Sequence, residues 1–389
     1  MTNNWLSGWV ADHHHELVAL RRRIHSRPEL AFEEFATTEL ALGRLEAARL
    51  SPRRLPNGTG LVVDIGAGDR IIAVRADIDA LPVPDLKTVP YRSTVEGVCH
   101  ACGHDAHTAI ALGTALALAD APYLPGRVRV IFQPAEERMG GAREVIKAGE
   151  LEGVEHVFAL HCDAHLPVGQ VGLRVGPITA ACDLVEVRLN GPGGHTARPH
   201  LTVDLVETLS RIAVDAPAMV ARRVDARAGL SLVWGAIRAG EAPNTIPSIG
   251  VLRGTVRVLD HAAWSDAEKQ VSSVINDIAV AAGASVHIDY ERGVPPVVND
   301  QTGVELMRAA VSAELGLSGI ASTRTSMGGE DFAWFGEHVP VTMARLGTHS
   351  EALSTVRDLH QGNFDIDERA LGIGVRVLTS TVLAALTNA

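Results

Sequence analysis

The sequence has no long hydrophobic run, and this absence bears first on membranes. No uninterrupted apolar stretch reaches the roughly 18 residues that a membrane-spanning helix needs. The N-terminal stretch MTNNWLSGWVADHHHELV also lacks the apolar core of a signal peptide. We therefore expect no membrane partner and a cytoplasmic location.

Cysteine and positive charge are also scarce. Four cysteines among 389 residues do not make a disulfide framework, which agrees with a reducing compartment. Lysine and arginine together number 35 against 46 acidic residues, the formal net charge is -11, and no basic block occurs. Nucleic acid is therefore not an expected partner.

The hydrophobic content of 46% is ample for more than one sizeable core. In the first third of the chain, helical patterns such as DAHTAIALGTALALAD alternate with short β-branched strands such as RIIAVRADIDALP and GRVRVIFQP. Strands that alternate with helices predict an α/β domain in which helices cover both faces of a sheet. Such a domain carries its functional residues on loops at the ends of strands.

The pattern changes near residue 182. The stretch DLVEVRLNG alternates between apolar and polar residues, as in a strand with one solvated face. The elements that follow have the order β-α-β-β-α-β, which is typical of a ferredoxin-like α+β sandwich. We therefore predict a discontinuous α/β catalytic domain, residues 1–181 and 294–389, with an α+β domain inserted over residues 182–293.

The stretch CHACGHDAH, residues 99–107, places Cys102 and His104 two positions apart in a glycine-containing turn. A thiolate and an imidazole that converge in this way are typical metal ligands, and the glycine lets the backbone curl. The alternative interpretation of this sequence is a buried free cysteine beside solvent-facing histidines, without a metal. The spacing of Cys99 and Cys102 also fits a CxxC redox motif, although no thioredoxin-like pattern surrounds it.

Further residues of metal-binding types occur at the ends of predicted strands. Glu136 and Glu137 follow VIFQP, His161 ends HVFALH, and His360 lies in RDLHQGN ahead of the last helix. Each one alone is more often a surface charge or a structural histidine. Together with Cys102 they predict a metal centre in which one of the adjacent glutamates binds metal and the other faces a water molecule.

The motifs HSRPELAFEEFATT, AVRADIDALP, CHACGHDAHTA, VIFQPAEER, GGHTARPH, PNTIP, GTVRVLD and SMGGEDFAWF occur in the order seen in the M20 metallopeptidases of subfamily D. Over nearly its whole length the chain thus resembles the N-acyl-amino-acid amidohydrolases, which include aminoacylases and hippurate hydrolases. The resemblance implies a metal-binding α/β domain with an inserted lid domain. It also implies a homodimer formed through that inserted domain.

The resemblance assigns roles to residues of the catalytic domain. It makes the following residues the ligands of two divalent metal ions: Cys102, His104, Glu137, His161 and His360. The mixed donor set leaves zinc, manganese, cobalt and nickel open. Glu136 matches the general base, and Asp79 matches a carboxylate that orients the site, although it could instead cap the turn after its strand.

Three residues of the inserted domain match substrate contacts. His195 resembles the histidine that stabilises the tetrahedral oxyanion. Asn244 and Arg257 resemble residues that hold the substrate carboxylate. On the residues alone, other interpretations stay open, because His195 could be a loop histidine with a backbone partner and Arg257 an ordinary residue on the solvent face of a strand.

These features predict a binuclear metal-dependent amidohydrolase that acts on small N-acyl amino acids or related conjugates. A metallo-carboxypeptidase or dipeptidase of the same family would use the same metals and would differ in accepting a free α-amine. A non-catalytic metal-binding relative would show a substituted Glu136 or ligand, which this chain does not. A redox protein built on Cys99 and Cys102 is the alternative from another class. The sequence does not specify the acyl group or the amino acid.

Overall fold

The computed structural model describes residues 4–350 and 356–387. The chain divides into two compact units, the first formed by Met1–Ile178, Val297–Arg324 and Asp331–Ala389 and the second by Thr179–Pro296 and Thr325–Glu330. The sequence places Thr325–Glu330 in the catalytic domain, whereas the structure groups this segment with the second unit. The reason is local pairing, because Ala180 N donates to Ser326 O at 3.0 Å beside the bridge between Thr179 and Ser326.

Helices occur in both units. They are α1 (Asn4–His25), α2 (Phe35–Ala47), α3 (His104–Ala119), α4 (Gly141–Lys147), α5 (Leu205–Arg223), α6 (His261–Ala281), α7 (Gln301–Leu315), α8 (Ala333–Gly336) and α9 (Arg369–Thr387). The stretch ELVALRRRIHSRPELA has a helical pattern and predicts a helix over residues 16–31, whereas α1 begins earlier, at Asn4, and ends earlier, at His25. The early end has a local cause, because a proline disfavours helical backbone for the residue before it, and Pro28 follows within a few residues of His25.

The strands are mostly short. They are β1 (Arg53–Arg54), β2 (Leu61–Gly66), β3 (Ile71–Asp77), β4 (Arg127–Gln133), β5 (Val154–Pro167), β6 (Val171–Leu173), β7 (Gly176–Pro177), β8 (Ala181–Asn190), β9 (Gly194–His195), β10 (Ser231–Ala239), β11 (Thr245–Ile246), β12 (Ile249–Val258), β13 (Ser285–Val294), β14 (Val298–Asn299), β15 (Ile320–Ser322) and β16 (Val341–His349).

The first unit is built on a mixed eight-stranded sheet in the order β1-β2-β4-β3-β5-β16-β6-β15. Strands β4, β3, β5 and β16 are parallel neighbours with largely buried residues. One face packs against α1, α3 and α9, and the opposite face packs against Val145 of α4 and Phe335 of α8. This arrangement confirms the predicted α/β class. It also brings the C-terminal ends of β3 and β4 to one edge, where sites of such sheets form.

The second unit contains a four-stranded antiparallel sheet in the order β10-β12-β8-β13, with α5 and α6 packed on it. Its elements follow the predicted β-α-β-β-α-β order. Along β8, Val185, Val187 and Leu189 are buried and Arg188 and Asn190 are exposed, as the alternation of the sequence predicts. The short strands β9 and β11 pair in a separate ribbon, which we call the β9–β11 ribbon.

Among the helices that the structure describes, α9 is long enough and apolar enough to cross a membrane, if only length and composition are considered. In the structure, however, 78% of its apolar window is buried inside the protein. Leu371, Val375 and Leu378 of α9 belong to the hydrophobic cluster on one face of the eight-stranded sheet. This burial is what the core helix of a folded domain shows.

Candidate metal centre

The candidate site side chains gather where the parallel strands of the first unit end. Asp79 lies just beyond β3, and Glu136 and Glu137 lie in the turn that follows β4. The sequence predicts that the next strand ends at His161, whereas β5 continues to Pro167. The extension arises because β16 goes on pairing with β5 beyond His161. His161 therefore projects from within a strand, beside the turns that carry the carboxylates.

The turn that carries Cys102 and His104 leads directly into α3. Gly103 has a φ of 89°, and a Cβ at this position would lie 2.8 Å from Cys162 Sγ. Only glycine adopts this conformation without strain in so little space, which agrees with the predicted role of the glycine. The turn brings Cys102 Sγ to 3.5 Å from His161 Nε2. Residues from two distant segments thus meet in one buried place.

Backbone carbonyls fix the ring orientation of two candidate ligands. His104 Nδ1 lies 3.0 Å from Asp79 O, and His161 Nδ1 lies 2.8 Å from Cys162 O. A carbonyl oxygen only accepts hydrogen bonds, so each Nδ1 carries a proton and each Nε2 is the nitrogen that remains for a metal ion. The two backbone contacts therefore hold both rings in the orientation that a metal ligand requires.

Glu137 connects the two sides of the cluster. Its Oε1 lies 3.8 Å from His104 Nε2 and 3.7 Å from His360 Nε2. His360 reaches this position from a turn in which its φ is 63° and its N–H donates to Ala101 O at 2.8 Å. Donor atoms of three overlapping groups lie within 4.8 Å of one another: Cys102 with His104 and His161, Cys102 with Glu137 and His360, and His104 with Glu136 and Glu137. The structure thus brings together all of the predicted ligands.

The cluster has the properties of a cation site. His104 Nε2 and Glu137 Oε1 are buried and have no hydrogen-bond partner among the described residues. Burial raises the pKa of the Cys102 thiol well above its usual range and raises the pKa of Glu137 to about 7, so their anionic forms need a nearby positive charge. Sulfur, nitrogen and oxygen donors together suit zinc and similar divalent ions. The residues present therefore fit a metal centre.

His107 lies beside the cluster, but both of its ring nitrogens are occupied. Its Nδ1 donates to Asp77 Oδ1 at 2.5 Å, and its Nε2 accepts the N–H of Cys162 at 2.8 Å. Burial opposes the ionisation of Asp77, but the adjacent His104, His107 and Arg75 hold its pKa well below the usual range. His107 and Asp77 thus form a charged support for the backbone of β5 at the cluster.

Asp79 anchors the turn that carries the adjacent glutamates. Its Oδ1 accepts the N–H of Glu136 at 3.1 Å, and its Oδ2 accepts the N–H of Glu137 at 3.0 Å. Asp79 Oδ1 also lies 3.3 Å from His104 Nδ1. A single buried carboxylate thus contacts both glutamates and one imidazole. If Asp79 only capped the turn after β3, its contacts would lie within that turn. They instead extend to residues of two other segments.

A second buried carboxylate, that of Glu34, is not among the residues that the sequence predicts for the site. Its Oε1 accepts the N–H of Ala135, immediately before Glu136, at 2.8 Å. Glu34 is fully buried, but in the sequence it follows Glu33, and two adjacent glutamates are usually a charged surface. The motif HSRPELAFEEFATT contains Glu34 and is the one signal that could have drawn attention to it.

In the second unit, His195 and Asn244 are neighbours on the β9–β11 ribbon. His195 pairs with Thr245, and Thr196 N donates to Asn244 O at 3.2 Å. His195 Nδ1 accepts the N–H of Ala197 at 3.0 Å, so its Nε2 carries the proton and is a hydrogen-bond donor. Both side chains are exposed. The ribbon therefore presents an imidazole N–H donor and an amide next to each other.

Arg257 lies at the other end of the second unit's sheet. The chain enters β12 at Ile249, directly after the β9–β11 ribbon, and Arg257 pairs with Cys182 near the end of the strand. At roughly 3.3 Å per residue, Ile249 and Arg257 are about 26 Å apart. Arg257 Nη1 donates to Met327 O within the second unit. The length of β12 thus separates Arg257 from the point at which the chain leaves the ribbon, and the assignment of Asn244 and Arg257 to one substrate carboxylate stays a prediction.

Comparison with known proteins identifies relatives along most of the chain. The sequence model of Peptidase family M20/M25/M40 matches residues 73–384 of this chain. A Rhodococcus jostii protein named "Putative glutamate–cysteine ligase 2-3" is 45% identical over 367 residues, which are 94% of this chain and 46% of that protein. The chain thus spans less than half of that relative's length, and the name of the whole relative carries no activity to it.

Two further relatives match over most of both chains. The N-acetyl-L-cysteine deacetylase of Bacillus subtilis is 37% identical over 360 residues, which are 92% of this chain and 85% of that protein. The crystal structure of a dinuclear metal-binding peptidase of the M20 family from Bacillus subtilis superposes with a TM-score of 0.87 at 32% identity. That superposition covers 97% of this chain and 99% of the other.

Proposed function

This chain belongs to peptidase family M20/M25/M40, and on that premise we propose that it hydrolyses the amide bond of small N-acyl amino acids with two bound divalent metal ions. The observation that carries the proposal is the cluster of Cys102, His104, Glu137, His161 and His360, with Glu136 beside it. The deacetylase among the relatives supports the N-acyl amino acid class, and the dinuclear peptidase supports two metals. Membership of subfamily D belongs to the same proposal.

The ligands of the two ions are the five residues of the cluster. When bound, such ions polarise the amide carbonyl and lower the pKa of a water molecule. Cys102 supplies the sulfur donor, Glu137 the carboxylate next to both His104 and His360, and His161 a neutral imidazole beside Cys102. The mixed donor set accepts zinc, manganese, cobalt or nickel.

Glu136 acts as the general base. Its carboxylate accepts a proton from the attacking water and donates it to the nitrogen of the leaving amine, which completes the exchange of the amide bond for a carboxylic acid and an amine. Support comes from its position, because Glu136 is only 5% exposed and its backbone is held by Asp79. Asp79 keeps this carboxylate aimed by fixing the turn, and does not itself contact the reacting atoms.

The second unit supplies the substrate contacts. The Nε2–H of His195 stabilises the oxyanion of the tetrahedral intermediate, and Asn244 and Arg257 bind the substrate carboxylate. Because about 26 Å separate the two ends of β12, we assign His195 and Asn244 to the active site of the partner copy in a homodimer. Arg257 then serves the substrate of its own chain.

The homodimer forms through the second unit. Strand β10 is at the edge of its sheet, and its Val233 and Ile237 are 57% and 51% exposed. An edge strand with exposed apolar side chains is a surface that proteins usually cover. The cellular location is cytoplasmic, which is supported by the four cysteines, all within the described residues and all unpaired thiols.

A second candidate activity is removal of the C-terminal residue from a dipeptide or short peptide. The peptidase among the related structures favours it, and the same metals and Glu136 would serve. The two activities differ in the acyl part of the substrate, because a dipeptide carries a free α-amine there. A non-catalytic role is disfavoured by the presence of Glu136 and of every ligand.

The test is hydrolysis by metal-reconstituted protein of matched substrates that share one amino acid. N-acetyl, N-benzoyl and N-glycyl derivatives of cysteine, methionine and alanine separate the acyl preference from the amino acid preference. We expect turnover of the N-acyl compounds, and none by Glu136→Gln. Faster turnover of the N-glycyl compounds would favour the peptidase activity instead. No hydrolysis of any compound by the metal-loaded protein would overturn the proposed function.

A further inference from the structure

Glu34 lies under the turn of the adjacent glutamates and comes from a distant part of the chain. The segment before α2 is tied to the strand end at Asp79, because Ala80 N donates to Glu29 O at 2.8 Å and Leu30 forms a bridge with Ala80. Glu34 precedes α2, but its side chain makes no capping hydrogen bond to that helix. The carboxylate is instead directed to Ala135.

Two buried carboxylates hold three consecutive backbone amides. Glu34 accepts the N–H of Ala135 at 2.8 Å, and Asp79 accepts the N–H groups of Glu136 and Glu137 at 3.1 and 3.0 Å. The three N–H groups are successive along the chain, and each of them donates to a buried carboxylate. In the turn after β4, three consecutive backbone amides are therefore fixed by side-chain carboxylates. Glu34 binds the first of them, that of Ala135.

Ala135 needs such an anchor. Its φ is 52°, in the left-handed region that residues with a Cβ rarely adopt. The turn closes on the same residue, because Gly140 and Gly141 both donate to Ala135 O, at 3.3 and 3.2 Å. The conformation of Ala135 determines the direction in which the chain leaves toward Glu136. A change in this one residue would turn both glutamates.

The environment of the Glu34 carboxylate makes it costly to keep charged. It is fully buried, and its Oε2 has no hydrogen-bond partner among the described residues. Burial raises its pKa to about 7, and the nearby Asp79 carboxylate acts in the same direction. The backbone N–H groups of Glu34 and Phe32 also interact with this carboxyl group, but the bond to Ala135 is the one that connects it to the turn of the adjacent glutamates.

We propose that Glu34 is a positioning residue of the active site, which holds Ala135 in its left-handed conformation and thereby directs Glu136 to the water and Glu137 to the metal. This inference rests on the proposed function only for the identity of the reaction. Glu34 acts through the backbone of Ala135 and touches neither substrate nor metal. The requirement is for a hydrogen-bond acceptor at Oε1, so a glutamine should serve nearly as well as the glutamate.

The test compares Glu34→Ala, Glu34→Gln and the matched control Glu33→Gln, which changes an exposed neighbour. We expect Glu34→Ala to lower kcat by roughly 10- to 100-fold and to weaken zinc or manganese affinity. We expect Glu34→Gln and Glu33→Gln to stay within about threefold of the unmodified protein. Equal losses in Glu34→Ala and Glu34→Gln would show that the carboxylate itself is needed, and would overturn the proposal.

A second variant tests the role of Ala135 directly. Glycine adopts the left-handed conformation without strain, so Ala135→Gly in the Glu34→Ala background should restore at least part of the lost kcat. A general loss of packing around Glu34 would not be rescued by a glycine at position 135. Should Glu34→Ala fail to fold, Glu34→Asp takes its place, because it withdraws the acceptor by one methylene and keeps the charge.

The outcomes separate this inference from the proposed function. An active unmodified protein with an unchanged Glu34→Ala variant would refute the positioning role alone. An inactive unmodified protein would refute the proposed function, and the metal affinities would still decide the role of Glu34. In that case, equal zinc affinity of Glu34→Ala and the unmodified protein would refute the positioning role as well.

Discussion

His104 Nε2 and Glu137 Oε1 face each other across 3.8 Å, and both atoms are buried. Neither has a hydrogen-bond partner within residues 4–350 and 356–387. Buried polar atoms without partners are costly, and a cation bound between these two would satisfy both. Since His104 Nδ1 already donates to Asp79 O, its Nε2 is the nitrogen that would face the ion.

Metal removal should therefore destabilise the protein as well as inactivate it. We expect about two divalent ions per chain by elemental analysis. Chelation should lower Tm by roughly 5 °C or more, because a tightly bound ion stabilises only the folded state. Adding zinc or manganese should restore both Tm and turnover. Absence of metal together with activity that a chelator leaves unchanged would contradict the metal centre.

Asp79→Asn should lower kcat more than it changes KM. The asparagine keeps one oxygen acceptor, but its amide nitrogen would face the N–H of either Glu136 or Glu137, and two donors repel. We expect a loss of roughly 10- to 100-fold in activity, with weaker metal binding, measured by steady-state kinetics and metal titration. Asp69→Asn, in an exposed turn after β2, is the matched control. Normal kinetics in Asp79→Asn would mean that Asp79 only stabilises the turn after β3 and does not orient the site.

Much of the metal centre could be predicted because its ligands are spaced locally or follow strands. The glycine turn of Cys102 and His104 is a local feature, and parallel strands bring Asp79 and Glu136 to the same edge of the sheet. The alternation along β8 predicts its buried face for the same local reason. Family membership is confirmed by the match over residues 73–384, and the class of enzyme, a metal-dependent amidohydrolase, by the deacetylase among the relatives.

The parts that could not be predicted depend on contacts between distant segments. Strand β5 runs past His161 because of its pairing with β16, which follows about 180 residues later in the chain. Glu34 holds Ala135 across a sequence separation of 101 residues. The distance between the β9–β11 ribbon and Arg257 depends on the register of β12, which motif order does not reveal.

His195→Ala and Glu136→Gln chains, each inactive alone, should recover activity when they are mixed as a dimer. If His195 serves the partner's site, a hybrid dimer has one active site with both defects and one with none. Random exchange makes half of the dimers hybrid, so about a quarter of the unmodified activity should return. The measurement is turnover after mild dissociation and reassociation of a 1:1 mixture.

The control for this experiment mixes Glu136→Gln with Asp79→Ala. Both changes lie in the first unit, so neither hybrid site is intact and no activity should return. Recovery in this control would mean that the chains share their first units as well. No recovery with His195→Ala, in a mixture shown to contain hybrid dimers, would place His195 in the active site of its own chain.

The two adjacent glutamates should differ in what their loss removes. Neighbouring side chains in one turn do not face the same point, and Glu137 Oε1 is the atom that lies close to both His104 and His360. Glu136→Gln keeps the shape of the side chain but cannot accept a proton. We expect it to retain both metals and substrate affinity while kcat falls by roughly 10²- to 10⁴-fold.

Glu137→Gln should lose metal first and activity as a consequence. Its amide binds a divalent ion more weakly than a carboxylate does, so occupancy should fall and excess metal should restore part of the turnover. The two variants are therefore compared side by side for metal content, and for turnover with and without added metal. Loss of metal from Glu136→Gln, with full occupancy in Glu137→Gln, would reverse the two roles. Full activity in both variants would mean that the reaction does not depend on these two glutamates.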